Sequence, residues 1–597
     1  MRWLHCGAAA CVLPLLFLLM TTGATAQQDR YWEILTLFGG DGYMTDPFVM
    51  VHDAKRDRII IAGRTEEDDL PVTPDAMKSE FTDSMDGFIA VFNADCSELI
   101  YCSYVGGSRN ESLSDAILLD DDRLLIVLST YSRDMPTTGT AWESEYIGEH
   151  NTWLAVLSLD TFSILHSGYF GGSGRDAINR ALLLSDGSIV ITGAGSSTDL
   201  PVTPNAFQPR KLGILDGWDA FIAIFDSTLN LTYCSYHGGL TYSGEDAWRG
   251  LAETENYIVF AGTVDATDMP VTENAYQKTF AGGWNDAYLV VISKDSLKRV
   301  YSTYLGGSEV GGGNGRDLIH EIVSVGNDRL ALIGDTESLD FPVTPNAWQT
   351  ELKDDGLSIS DLMIGIFDIK SLSFEELTFL GGEEYDYVQS AIRDPDSPTV
   401  TLLLTTYSQE FPLLPPKPED CLNRGALLTY NVQTRTPERA IPVHDIARGD
   451  MMRLLRTDDG RLYFCGVSMF YTEGGPVPVR PTGYKTVRTG KWDVFIGIVH
   501  DTPVSVDELP VPDPSDAGIF IHPQPARDEL RFIIDTPGEA TVSLHDMLGR
   551  KLREVRVSGG DIRTHGRMPL AGIVPGVYML LVRTADDVRT RKVLVTK

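Results

Sequence analysis

Residues 199–208 read DLPVTPNAFQ, two prolines, a threonine and an asparagine set around apolar residues. The stretch is one of a series. DLPVTPDAM begins at Asp69, DMPTTGTAW at Asp134, DMPVTENAY at Asp268 and DFPVTPNAW at Asp340. A weaker EFPLLPP begins at Glu410, and GPVPVRPTGY (475–484) takes the seventh place. The first prolines of the six clear copies are Pro71, Pro136, Pro201, Pro270, Pro342 and Pro412, spaced 65 to 72 residues apart. Recurrence at a near-fixed period marks a repeat fold.

Other phrases keep the same phase. Gly-Gly pairs fall at 39–40, 106–107, 171–172, 238–239, 306–307 and 381–382. Alternating apolar runs precede most of them: DGFIAVF (86–92), TWLAVLS (152–158), DAFIAIF (219–225), DAYLVVI (286–292) and DLMIGIF (361–367), with DVFIGIV (493–499) in the same set. Period-two runs rich in Ile, Val and Phe are strands. In the third unit, INRALLL and SIVITGA form strands a and b around the turn SDG (185–187), AFIAIF is strand c and NLTYCSYHGG strand d. Four antiparallel strands per unit without a helix make a β-propeller blade. Strand b occurs seven times, at 58–63, 124–129, 188–193, 257–262, 329–334, 399–404 and 461–466, which implies seven blades. YWEILTLFGG (31–40) is a d strand lacking its own a, b and c, whereas the last unit ends at its c strand. The N-terminal strand is therefore expected to complete the seventh blade and close the ring over residues 27–500, where an open solenoid would need capping repeats. In the opening phrase, Thr203 before Pro204 suits a cap and a short helical turn, with Phe207 as apolar anchor. Trp142, Tyr276 and Trp348 would anchor their own units. The phrase reads as a clip pinning the b-to-c connection, not as a ligand motif.

The N-terminus reads as a signal peptide, residues 1–26. Arg2 leads into the apolar run CVLPLLFLLM (11–20), and Ala24 and Ala26 place cleavage between Ala26 and Gln27. The run is shorter than the roughly 18–20 residues of a membrane span, so no transmembrane segment is expected in the mature chain. The formal charge of −35 argues against nucleic acid as a partner. That charge is uneven: residues 27–518 hold 35 Lys and Arg against 75 Asp and Glu, and residues 519–597 hold 13 against 9. The five cysteines after cleavage (Cys96, Cys102, Cys234, Cys421 and Cys465) form no CxxC, so neither a zinc site nor a dense disulfide framework is indicated. An exported chain could bridge Cys96 to Cys102.

Residues 501–518, DTPVSVDELPVPDPSDAG, read as an extended linker. Beyond it, residues 519–597 alternate in short strands, the pattern of a small immunoglobulin-like β-sandwich. HPQPARDEL (522–530), VSLHDMLGRKL (542–552), PGVYMLLV (575–582) and RKVLVTK (591–597) occur there in order. They resemble the C-terminal sorting domain of the type IX secretion system. The resemblance rests on Pro523, Pro525, Gly549, Arg550, Pro575, Gly576, Tyr578 and the final strand to Lys597, with Gln524 where that family has Asn. It implies passage through the periplasm, handling by the type IX machinery, removal of the domain, and release or attachment at the cell surface. The body, with phrases such as YLGG (304–307), DFPVTPNAW and DAFIAIF, resembles the SBBP repeats, a seven-bladed propeller family without a common enzymatic activity.

No HExxH, GxSxG, GKS/GKT or GxGxxG pattern occurs. GGSEVGGGNGRD (306–317) precedes a strand and so lacks the helix N-terminus that would bind phosphate. Among scattered histidines, His320 is the one most directed to a central channel. An aspartate precedes inner strand a in each unit: Asp46, Asp115, Asp176, Asp246, Asp317, Asp386 and Asp450. These seven could gather at one channel mouth around Ca²⁺, which takes oxygen ligands, or each could accept backbone N–H groups in its own turn. A second set before strand c, Asp86, Asp219, Asp286, Asp361 and Asp493, is assigned no chemistry. The expectation is an exported, non-catalytic propeller without a resident cofactor, binding an extracellular glycan or protein. The alternative is a hydrolase or lyase acting on polysaccharide or peptide at the channel mouth.

Overall fold

A computed structural model describes residues 30–595 apart from 83, 139–141, 143–144, 213–216, 241–246, 309–314, 327, 354–359, 396, 417–423, 444–450, 470–482, 486–491, 505–518, 523–528, 535–538, 547–549, 559–563, 575 and 585–587. The signal-peptide reading lies outside these residues, as do Asp246, Asp450, Pro523, Pro525, Gly549, Pro575 and Lys597 among the sequence-derived sites. The described chain is all-β, with no helix among the described residues.

Seven four-stranded antiparallel sheets are built from residues 30–504, and they fit a propeller-like fold. The third shows the plan, with Asp176–Leu183, Ile189–Gly195, Asp219–Phe225 and Leu231–His237 side by side in chain order. The seven innermost strands are Thr45–Asp53, Glu111–Asp120, Asp176–Leu183, Ala247–Glu253, Asp317–Gly326, Asp386–Arg393 and Met451–Arg456. Each touches the next, and Met451–Arg456 touches Thr45–Asp53. The seventh sheet takes its fourth strand from the other end of the chain. Arg30–Phe38 pairs with Trp492–Val504, with Trp32 opposite Val499 and Phe38 opposite Val494.

Middle strands such as Asp219–Phe225 are buried along their whole length, because each sheet is covered on both faces by its neighbours. Ile60, Val91 and Tyr101 of the first sheet pack on Ile126, Ala155, Leu157 and Phe162 of the second. Phe162 sits in a c-to-d turn at φ 52°, a left-handed conformation that bulky residues rarely adopt, and its ring stacks on Tyr101 at 4.2 Å. Cys96, Leu229, Leu297, Leu372 and Arg435 hold the same conformation in the corresponding turns. Packing between sheets fixes this backbone.

The repeated clip lies along strand d. Thr203 N–H donates to Cys234 O (3.1 Å), Cys234 N–H to Thr203 Oγ1 (3.1 Å) and Tyr236 N–H to Gln208 O (3.2 Å). Only one turn, closed by Ala206 N–H to Thr203 O, takes the place of the expected helical turn. Bonding to the strand on both sides of that turn keeps the backbone extended. Phe207 packs inward, whereas Tyr276 and Trp348 are 45% and 39% exposed. Cys96 and Cys102 are buried free thiols, not a bridge.

The tail forms two sheets, one of Ile519–His522, Glu529–Ile534 and Thr564–Pro569, the other of Lys551–Ser558, Glu539–His545, Gly576–Arg583 and Val588–Val595. Leu530 and Phe532 from one and Val542, Leu544, Leu580 and Val582 from the other share a core, as in a β-sandwich. Tyr578 is buried and its hydroxyl donates to Val574 O (2.5 Å), while Arg550 pairs with Asp546.

Candidate functional site

Asp176, Asp317 and Asp386 begin their innermost strands and are fully buried. Each carboxylate accepts the N–H of the second glycine of the preceding pair, from Gly172 (2.7 Å), Gly307 (2.8 Å) and Gly382 (2.6 Å). Each also accepts a hydroxyl, from Ser197 (2.5 Å), Ser338 (2.9 Å) and Ser408 (3.0 Å). Asp46 and Asp115 do not share this place. The second unit uses Glu111, which accepts Gly107 N–H, Thr130 Oγ1 and Ser132 Oγ. The first junction uses Glu67, which accepts Gly40 N–H and Thr45 Oγ1. Matching units by Asp alone misses these glutamates. Asp46 instead pairs with Arg64 (3.0 Å), and Asp115 lies five residues into its strand. Among the described residues, no group of three or more His, Cys, Asp or Glu is placed to hold a metal ion.

The carboxylates before strand c, left without chemistry by the sequence, reach the same turns from the other side. A lysine accompanies several of them. Lys78 Nζ lies 2.7 Å from Asp86, Lys485 Nζ 3.2 Å from Asp493 and Lys211 Nζ 3.6 Å from Asp219. Along the clip, Lys78 stands where the third unit has Gln208, and Lys211 follows three residues later. The fourth and fifth units have Gln277 and Gln349 at the first position and Phe280 and Leu352 at the second. There an amide replaces the ammonium: Gln277 Nε2 donates to Asp286 (3.0 Å) and Gln349 Nε2 to Asp361 (2.8 Å). Burial, reinforced by the neighbouring Asp317 and Asp386, pushes Asp286 and Asp361 each up to about 8. Burial also raises Asp317 and Asp386 to about 7.

A different cluster forms on the innermost strands. Each of these strands carries a register shift, and the residue after it is Asp115, Arg180, Glu321 or Arg453 in the second, third, fifth and seventh sheets. Arg180 ion-pairs with Glu321, and its Nε donates to Arg249 O (2.9 Å) in the fourth sheet. Asp115 accepts Ala181 N–H (2.8 Å). Burial, followed by the charge of Arg180, brings Arg453 down to about 10, and burial outweighs the nearby arginines to raise Asp115. Two carboxylates and two guanidinium groups thus neutralise one another between sheets. His320, the residue before Glu321, bonds through Nε2 to Asp335 Oδ2 (2.7 Å), whose other oxygen accepts Val388 N–H (2.9 Å). The sequence did not reveal this cluster, because unlike residues occupy one repeat position. Aligning the strands on the shift brings them together.

Residues 520–596 match the secretion system C-terminal sorting domain family. The chain carries a type IX sorting domain, and such a tail belongs to an exported protein, secreted or held at the cell surface. No curated protein matches the chain. Among solved structures, the lignostilbene dioxygenase of Pseudomonas brassicacearum is 12% identical, covering 74% of this chain and 87% of its own at a TM-score of 0.31. Cobalt-substituted Synechocystis ACO is 13% identical, covering 73% and 87% at a TM-score of 0.33. A structure of S. cerevisiae Dbp5 bound to Nup159, Gle1, IP6 and ADP is 8% identical, covering 79% and 96% at a TM-score of 0.32. Likeness at these scores carries no argument about function.

Proposed function

We propose that the mature chain is a closed seven-bladed propeller of the SBBP-repeat kind, exported through the signal peptide at 1–26 and the type IX machinery. Its body binds or scaffolds an extracellular glycan or protein and performs no catalysis. The observation that supports binding is the set of large apolar side chains exposed on connections into strands a and c. Tyr43 is 49%, Leu240 65%, Trp284 62% and Tyr385 43% exposed. Both kinds of connection lie at one end of each sheet, the end that also receives the clips. Aromatic faces presented to solvent are ready contacts for sugar rings or for a protein partner. A glycan array and a pull-down with intact protein test this. Ligand retained without turnover, and weakened by Trp284→Ala and Tyr385→Ala, is the expected result. Turnover of a bound polysaccharide or peptide, abolished by His320→Ala, would instead favour the hydrolase or lyase reading, which the His320–Asp335 pair supports.

A further inference from the structure

In the first, third and seventh sheets a lysine ammonium meets one oxygen of the aspartate at the start of strand c. That oxygen is Oδ1 each time: of Asp86 for Lys78 (2.7 Å), of Asp219 for Lys211 (3.6 Å) and of Asp493 for Lys485 (3.2 Å). Oδ2 of Asp86 and of Asp219 accepts a backbone N–H instead, from Thr82 (2.9 Å) and Leu212 (3.2 Å). Lys78 and Lys485 also donate to a carbonyl of the glycine pair, Gly107 O (3.0 Å) and Gly39 O (2.9 Å). The ammonium is thus built into the junction, one positive charge between a carboxylate and a glycine carbonyl.

The fourth and fifth sheets keep the aspartate and lose the lysine. Gln277 with Phe280, and Gln349 with Leu352, stand at the two clip positions that supply Lys78 and Lys211. Oδ2 of Asp286 accepts Ala281 N–H (2.8 Å) and Gln277 Nε2 (3.0 Å). Oδ2 of Asp361 accepts Lys353 N–H (3.3 Å) and Gln349 Nε2 (2.8 Å), while Lys353 itself is exposed. Both aspartates are fully buried, and Oδ1 of each has no hydrogen-bond partner among the described residues. Asp286 Oδ1 also faces the place that the ammonium takes elsewhere. A Cβ built on Gly106 would lie 2.5 Å from Asp86 Oδ1 and 3.2 Å from Lys78 Nζ, beside Glu111, and Gly306 is met in the same way by Asp286 Oδ1 and Asp317 Oδ2. The second sheet handles the loss differently. Glu143 and Tyr146 stand at its lysine positions, and Asn151 takes the place of the aspartate, so the negative charge goes with the lysine.

We propose that the fourth and fifth sheets each bind one potassium-sized monovalent cation, at Asp286 Oδ1 and Asp361 Oδ1, where the other junctions hold a lysine nitrogen. A buried carboxylate oxygen without a partner is costly, and a cation beside it offsets that cost. The sister junctions define the occupant. It carries a single charge and is held by a carboxylate and a carbonyl, fewer ligands than the roughly six to eight oxygens that calcium takes.

Thermal melts of the full-length protein test this at about pH 9, where protons compete least for carboxylates. Tetramethylammonium chloride is exchanged stepwise for potassium chloride at constant ionic strength, so that screening does not change. Tetramethylammonium is too large for the buried place and leaves only protons to meet these oxygens. Tm should rise saturably with potassium, by at least about 2 °C. Phe280→Lys with Leu352→Lys, which copies Lys211, should raise Tm in tetramethylammonium and remove the potassium response. Asp286→Asn with Asp361→Asn, which copies Asn151, should remove the response without burying a new lysine. Equal Tm in the two salts, a response undiminished in the asparagine variant, or a response to calcium in place of potassium would overturn the proposal.

Discussion

Asp286 and Asp317 meet at Gly306 from opposite sides. A Cβ built there would lie 2.6 Å from Asp286 Oδ1 and 2.7 Å from Asp317 Oδ2. One carboxylate opens the fourth sheet's c strand and the other opens the fifth sheet's a strand, so the glycine is the point where two units are joined. Gly306→Ala should destabilise the protein by about 3 kcal/mol, at the upper end for a point change. A urea melt of the sorted protein measures it.

The same pair makes stability depend on pH. Asp286 faces Asp317, with Asp340 nearby, and Gln277 is its side-chain donor. The folded-state values of about 8 for Asp286 and about 7 for Asp317 lie above the unfolded value near 3.8. A raised carboxyl value means that the folded state holds protons that the unfolded state has released. This contribution is complete below the unfolded value and is lost as pH rises toward 8. Asp286→Asn should stabilise the protein at pH 8 by about 2 kcal/mol, the order of one buried unpartnered polar group, and should flatten the fall of Tm between pH 4 and 8. A larger loss of stability at pH 8 than at pH 5 would contradict this.

Four of the clips hang on a tyrosine. Tyr236 Oη donates to Ser197 O (2.9 Å) and accepts Leu200 N–H (2.9 Å), and Tyr104, Tyr169 and Tyr304 repeat the arrangement. Tyr236→Phe should cost about 1–2 kcal/mol, because it strands a buried N–H and a buried carbonyl. Thermal melts of the variant should show the loss without a change in sheet content by circular dichroism.

The turn aspartates bear on calcium. Asp176, Asp317 and Asp386 already accept a backbone N–H and a hydroxyl. Added Ca²⁺ or a chelator should therefore leave Tm unchanged. A calcium-dependent rise would support the metal reading.

The strands were legible because a sheet buried on both faces demands runs such as DAFIAIF, and the repeat multiplied that signal across the chain. The clip is legible as punctuation, but its turn reads as helical because Thr203 before Pro204 satisfies a helix cap locally. The bonds from Thr203 to Cys234 and from Tyr236 to Gln208 that hold it extended come from another strand. Half of the junction chemistry was visible, namely the aspartates opening inner strands. Its other half, Asp86 or Asp286 reaching across, depends on which turn the next unit brings close. The cluster of Asp115, Arg180, Glu321 and Arg453 was hidden for a related reason, since no two adjacent units carry the same charge there.

The proposed ring depends on Arg30–Phe38 lying beside Trp492–Val504, with Glu33 opposite Ile498. Facing Cα atoms in such a pair are about 4.5–5.5 Å apart, within disulfide reach. Mild oxidation of a Glu33→Cys, Ile498→Cys variant, followed by mass spectrometry of its peptides, tests that contact most directly. The predicted result is an intramolecular bridge joining the two segments in monomeric protein. Bridges found only between molecules, or none at all, would contradict the ring.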